Sequence, residues 1–343
     1  MKTMAMLFAF LCVWQCRAAM QTPLRGVMLP IRDCVESDFA TLHGWKVTLV
    51  RYQMVRGWFK ENDNQDLPEF DLWLNERLEH LENVILPLAR KYGMRVVVDL
   101  HVPPGGICGG EMNMFHERKW ADHFVECWKR IAKRFKQRPE IYGFDLINEP
   151  LQMRASPCGL DYWSVQCRAA EAVRNIDPVT PIIVESNDRS LPDTYVDMKP
   201  LAVSNVIYQV HMYHPIEYTH QGVSSKDGAF ERLAYPNEKK GWGKRYLKDK
   251  LAPVRAFQLK HGVKVYVGEF SAIAWAEGAD RFLSDCISIF NEYGWDWTYH
   301  AFREWDGWSV EHEGSDAGHL RPAENTSRKQ ALLKGLKAPR CYE

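Results

Sequence analysis

The sequence predicts a single (β/α)8 TIM barrel, and three observations predict it. Eight short β-type runs alternate with longer helical patterns from residue 24 onward, the order of a parallel sheet covered by helices. Several of the helical stretches close on a glycine, at Gly93, Gly262 and Gly294, where a left-handed residue ends a helix without a Cβ clash. Polar and ionisable residues stand at the carboxyl ends of the runs, the face on which such a barrel carries its site.

In chain order the runs are LRGVML (24–29), KVTLVRY (46–52), RVVVDLH (95–101), IYGFDLIN (141–148), PIIVES (181–186), NVIYQVHM (205–212), VKVYVGEF (263–270) and WDWTYHAF (295–302). Amphipathic helical patterns are clearest at 69–92, 117–136, 160–176, 244–261 and 279–293. A doubly wound open sheet would carry a Gly-rich phosphate turn after an early strand. HVPPGGICGGEMNMFH has four glycines but neither GxGxxG nor GK[ST] spacing, so it reads as a flexible loop over a site. No linker or low-complexity tract divides the chain, so residues 20–343 are expected to form one catalytic domain.

Lysines plus arginines number 44, as do aspartates plus glutamates. That balance, with no basic cluster, argues against a nucleic-acid partner or an anionic membrane surface. Residues 1–19 carry Lys2, an apolar run from Met4 to Trp14 and a small-residue end at Arg17, Ala18 and Ala19. This resembles a secretory signal peptide cut near Ala18 or Ala19, implying a secreted protein, extracellular or periplasmic. Gln15 is a poor residue before a lipidated Cys16, and no other stretch is long and apolar enough for a membrane helix.

Cleavage would leave seven of the nine cysteines: Cys34, Cys108, Cys127, Cys158, Cys167, Cys286 and Cys341. An odd count leaves a free thiol or an intermolecular link. Cys158 and Cys167 flank a short loop and are the first choice for a bridge, while Cys127 and Cys286 read as buried apolar thiols. No Cys/His spacing suggests zinc, and neither cofactor nor resident metal is expected. The sequon Asn325-Thr326-Ser327 would carry a glycan only in a eukaryotic source.

The residues closing the runs are Arg51, His101, Asn148 with Glu149, Glu185, His211 with Tyr213, Glu269, and the segment His300 to Trp308. Period-two alternation puts Asp99 and His101 on one face, and His211 and Tyr213 on another. Asn148 and Glu149 can both serve a pocket only if the strand breaks or bulges, which Pro150 favours by removing a ladder donor. Glu149 in DLINEP and Glu269 in VYVGEF each end an apolar run, where a lone carboxylate is out of place.

NEP after the fourth run, HMYHP after the sixth, GEF after the seventh and a Trp-rich eighth, with LVRYQM, DLHVPP and YTHQG, resemble glycoside hydrolase family 5, the cellulase family of the retaining (β/α)8 clan. The resemblance spans essentially the whole mature chain. It implies that Glu149 is the acid/base and Glu269 the nucleophile. It further implies that Asn148 holds the sugar 2-hydroxyl, that Arg51 and Tyr213 contact the nucleophile, and that His101 and His211 line the site, His211 close to Glu149. Family members commonly place a stacking tryptophan in the eighth strand, where this chain has His300; Trp305 or Trp297 would take over the stacking.

Beside these roles, Asp99 and Asp145 read as core carboxylates below the site, and Glu185 and Glu304 as loop acids. Trp58, Trp275, Trp305 and Trp308 follow strands 2, 7 and 8 and would touch sugar or pack a loop. The expected function is a monomeric, secreted retaining β-glycosidase acting on a β-1,4-glucan polysaccharide or oligosaccharide. Its rivals are the same chemistry on β-mannan, β-1,3-glucan or a glycolipid, a barrel that binds carbohydrate without cleaving it, and a metal-dependent hydrolase using His101, His211 and Asp99.

Overall fold

In the structure, a computed structural model, residues 23–57, 64–225 and 229–338 are described. The expected signal peptide, Trp58 and Cys341 lie outside them. Eight parallel strands close into a barrel: β1 (Arg25–Met28), β2 (Leu49–Gln53), β3 (Arg95–Asp99), β4 (Ile141–Asp145), β5 (Ile182–Glu185), β6 (Val206–Met212), β7 (Lys264–Phe270) and β8 (Asp296–Tyr299). Seven fall within the runs read from the sequence, and β2 extends one residue beyond its run, to Gln53. The β1–β8 and β1–β2 pairings complete the ring. Gly26 makes the second of these possible, because a Cβ there would land on the carbonyl of Leu49.

The outer layer is built from α1 (Glu36–Gly44), α2 (Leu67–His80), α3 (Leu86–Tyr92), α4 (Arg118–Phe135), α5 (Tyr162–Ile176), α6 (Lys244–His261), α7 (Ala279–Tyr293) and α8 (Ser327–Lys337). In α4 the buried Trp120, Phe124, Cys127, Trp128, Ile131 and Phe135 recur three or four residues apart and form the stripe laid on the barrel. Helices α3, α6 and α7 stop at Gly93, Gly262 and Gly294, all with positive φ. The stretch 69–92 differs from the single helix expected: a π-helical turn at Leu81–Ile85 separates α2 from α3. Pro87, without an N–H, cannot take part in a regular ladder there.

Barrel packing follows the period of two. Leu49, Val97, Tyr142, Ile183, Ile207 and Tyr266 form one buried apolar cluster. Two residues further along four of those strands stand Arg51, Asp99, Glu185 and Gln209, all buried. An ionic layer therefore lies directly above an apolar floor, and the strand ends above it carry the remaining polar groups.

The expected Cys158–Cys167 bridge is absent: both thiols are free. Cys158 Sγ instead lies 3.1 Å from Ser156 Oγ and 3.3 Å from the carbonyl of His116, while Cys167 sits in the second turn of α5. Cys127 and Cys286 are buried thiols, as read. The glycine-rich loop forms a small hairpin, Ile107–Cys108 with Glu111–Met112. Buried Glu111 ties it to the loop after β4, accepting from the backbone N–H groups of Met153 (2.7 Å) and Arg154 (3.1 Å).

Candidate active site

Arg51, in the middle of β2, is the hub. Its guanidinium lies 2.6 Å from Glu269 Oε1, 2.9 Å from Asp145 Oδ2, 3.1 Å from Asp99 Oδ2 and 3.2 Å from Glu185 Oε1, and it donates to Asn148 Oδ1 at 3.0 Å. One buried cation cannot hold four buried carboxylates ionised. Burial and the neighbouring Asp145 push Glu185 well above the carboxylate range. Burial also lifts Asp145, to about 7, against the pull of Arg51.

Glu269 goes the other way. Burial would raise it, but the charges of His211, His300 and Arg51 outweigh that and hold it below the usual carboxylate range. Both its oxygens accept hydrogen bonds, Oε1 from Arg51 and Oε2 from the Tyr213 hydroxyl at 2.7 Å. Tyr213 is buried, and its own ionisation is pushed well up by burial and by Glu269.

Glu149 arrives by a break in the backbone. Strand β4 ends at Asp145, and Glu149 has a left-handed φ of 47°, unusual for a residue with a Cβ. Its N–H donates to Glu185 Oε2 at 2.9 Å, and Gln166 of α5 binds Glu185 through both its N–H and its C=O. The break expected before Pro150 is thus held by the neighbouring strand. His211 Nδ1 lies 2.9 Å from Glu149 Oε1 and 3.9 Å from Glu269 Oε2. One carboxylate oxygen of each glutamate and a nitrogen of His211 all lie within 4.8 Å of one another.

His101 pairs with Asp99 at 2.7 Å, and through it reaches Arg51. His300 Nδ1 lies 2.8 Å from the Tyr213 hydroxyl, and its Nε2 lies 3.4 Å from Glu304 Oε2. Eight of the nine site residues read from the sequence, Glu149, Glu269, Arg51, His101, Asn148, His211, Tyr213 and His300, therefore join one network of polar contacts. Trp305 stands beside it: half-buried, its ring meets Trp308 (5.9 Å) and Trp275 (6.1 Å) edge to face, and Trp308 in turn lies 5.5 Å from His300.

Three readings change. Glu185 is a fully buried strand-end group inside the network, not a loop acid; alternation from the inward Ile183 points to it. Trp297 is fully buried, edge-on to Phe270 at 5.5 Å, so it cannot stack on a sugar. Among the described residues, Asp99, His101 and His211 do not converge as a ligand set; Glu149, His211 and Glu269 do within the site, and Asp71, His123 and Cys127 do outside it. Gln53, two residues beyond Arg51, was not singled out, yet it donates to Glu304 at 2.7 Å. His220, part of the YTHQG motif but given no role from the sequence, lies 4.9 Å from the Tyr213 ring, and burial pushes it down to about 4.

The arrangement offers one carboxylate held ionised and a second carboxyl across a short gap. Comparisons with known proteins point the same way. Endoglucanase C of Acetivibrio thermocellus is 25% identical over 245 residues, which cover 62% of this chain and 70% of that protein. Among solved structures, a hyperthermophilic endo-β-1,4-glucanase in complex with substrate superposes with a TM-score of 0.71 at 19% identity, covering 92% of this chain and 97% of that one. Thermotoga maritima Cel5A in complex with mannotriose gives 0.68 at 18%, covering 92% and 98%. The family profile of cellulase, glycosyl hydrolase family 5, matches residues 18–306, and the chain belongs to that family, as a glycosidase acting on O-glycosyl compounds.

Proposed function

We propose that the protein is a secreted retaining hydrolase that cleaves a β-1,4-glucan by double displacement. The observation that carries this reading is the separation of Glu149 and Glu269, with carboxylate oxygens within 4.8 Å. Retaining enzymes hold their carboxyl groups about 5–5.5 Å apart, whereas inversion needs about 6.5–9.5 Å to admit a water.

Glu149 protonates the leaving glycosidic oxygen while Glu269, held ionised by His211, His300 and Arg51, attacks the anomeric carbon. Water then bonds to that carbon, gives its proton to Glu149, and displaces the Glu269 carboxylate with its electron pair. Asn148, its amide oriented by Arg51, holds the sugar 2-hydroxyl. His101 and Trp305 complete the walls of the sugar site. Residues 1–19 serve as the signal peptide and 20–343 as the catalytic domain.

The β-1,4-glucan is the substrate suggested by the endoglucanases among the relatives. A second reading, β-mannan, is suggested by the neighbour bound to mannotriose. Initial rates on barley β-glucan, carboxymethyl-cellulose and an unsubstituted β-1,4-mannan decide between them. Activity confined to the mannan would overturn the glucan assignment. The N-terminus of protein recovered from the medium should be Ala19 or Met20; an intact Met1 would contradict secretion by cleavage.

A further inference from the structure

His300 occupies the end of the eighth strand with both ring nitrogens facing acceptors. The one proton of the Tyr213 hydroxyl goes to Glu269 Oε2 at 2.7 Å, so the phenol oxygen can only accept from His300 Nδ1, 2.8 Å away. On the other side, Nε2 faces Glu304 Oε2 at 3.4 Å, and Gln53 donates to that same oxygen at 2.7 Å. Two acceptors on opposite edges of one imidazole call for a proton on each nitrogen. The result is a chain from Gln53 through Glu304, His300 and Tyr213 to Glu269.

We propose that His300, paired with Glu304, is a positioning residue that strengthens the Tyr213 hydroxyl as a donor to Glu269 and so speeds release of the sugar from the covalent intermediate. The proposal rests on the retaining reading above. In the release step a water oxygen bonds to the anomeric carbon and its proton passes to Glu149. The bond from that carbon to Glu269 breaks, and its electron pair returns to the carboxylate. Negative charge reappears on Glu269 during this step, and a donor backed by an imidazolium stabilises it. In the preceding step the same carboxylate loses its charge, so the same donor gives no help there.

The charge has defined neighbours. Glu304 of its own loop, Glu269 of β7 and Glu149 after β4 favour the imidazolium; buried His220 in the loop after β6 lies near it, and His101 after β3 faces Glu304. Burial works against the charge, but Glu304 and Glu269 prevail and carry the ring up to about 9. Glu304 is held below the carboxylate range, burial being outweighed by His300 and the Gln53 hydrogen bond.

The test separates the two chemical steps in the full-length enzyme with a 2,4-dinitrophenyl 2-deoxy-2-fluoro-β-cellobioside. Its inactivation rate reports formation of the intermediate, and the return of activity after removing excess reagent reports release. His300→Gln should slow reactivation by roughly 10-fold, below the roughly 100-fold or more of a direct oxyanion donor, while inactivation is as fast or faster. Glu304→Gln should act in the same direction to a smaller extent. Parent reactivation should fall in alkaline solution as His300 loses its proton, at a lower pH than in the free enzyme because esterified Glu269 no longer favours the imidazolium, and His300→Gln reactivation should not. An equal loss in both rates, or an unchanged reactivation rate and pH profile in both variants, would overturn the proposal. If the parent forms no adduct with this reagent or with the corresponding 2-deoxy-2-fluoro-β-mannoside, the retaining reading fails, and this inference with it.

Discussion

The Arg51 guanidinium donates to Glu269 Oε1 at 2.6 Å, and both side chains are buried. The contact spans two strands that are remote in sequence and unites the barrel's ionic core with its reactive face. Removing one partner of a buried, hydrogen-bonded pair leaves the other charge stranded, a loss of about 3–5 kcal/mol.

Arg51→Met should therefore lower stability by about that amount in urea unfolding. It also removes one of the charges that hold Glu269 down. The folded Glu269 carboxyl then takes up a proton at higher pH than before, and the acid limb of kcat/KM should move to higher pH. A variant with parental stability and an unmoved limb would contradict this account of the core.

The two glutamates should respond differently to substitution. Glu269→Ala should abolish hydrolysis of every β-glycoside, since no other group takes its place. Glu149→Ala should lose roughly 100- to 10,000-fold on substrates with poor leaving groups, but little in the first step on 2,4-dinitrophenyl glycosides, which depart without a proton. Azide should then restore turnover in Glu149→Ala and yield a β-glycosyl azide.

Glu185 keeps its proton far above the usual carboxylate range because it is buried beside Asp145. A carboxyl raised on folding stabilises the protein below its unfolded pKa of about 4.3 and loses that contribution as pH rises through the folded value. Glu185→Gln mimics the protonated acid and removes this titration. Its Tm should match the parent near pH 4 and fall less steeply toward pH 9. A steeper fall would show that Glu185 works as an anion.

Burial opposes ionisation of Glu111, but hydrogen bonds from Met153, Arg154 and His116 bring its carboxyl to about 2. A carboxyl lowered on folding stabilises above its unfolded value and loses that as pH falls through the folded one. The hairpin should stay docked at pH 4.5 and loosen toward pH 2. Glu111→Ala should open the 102–116 loop to limited proteolysis at neutral pH, with KM affected more than kcat. Parental protease resistance would refute the clamp.

Much of this was legible in the sequence because strand burial and strand-end chemistry are both local patterns. The runs ending in Arg51, Glu149, His211 and Glu269 announce barrel strands and polar rims together. Less legible were features set by partners far along the chain. Helix α1 buries only Asp38, Phe39 and Leu42, too thin a stripe to see beforehand. Glu185 looks like a loop acid until β5 is paired with β6, when Gln209 and Arg51 surround it. The Cys158–Cys167 spacing suits a bridge, but Cys158 is turned toward His116 by a loop geometry that spacing does not encode. His300 was visible as a departure from the family's tryptophan, yet its ties to Tyr213 and Glu304 appear only in three dimensions.

The central claim is that Glu269 forms the glycosyl-enzyme bond opposite Glu149. Peptide mapping by mass spectrometry of the enzyme inactivated with the 2-fluoro-cellobioside tests it most directly. The account predicts a single adduct on the peptide containing VYVGEF, located by fragmentation at Glu269. A label on Glu149, or complete turnover of activated substrates with no covalent species and an inverted first product, would contradict it.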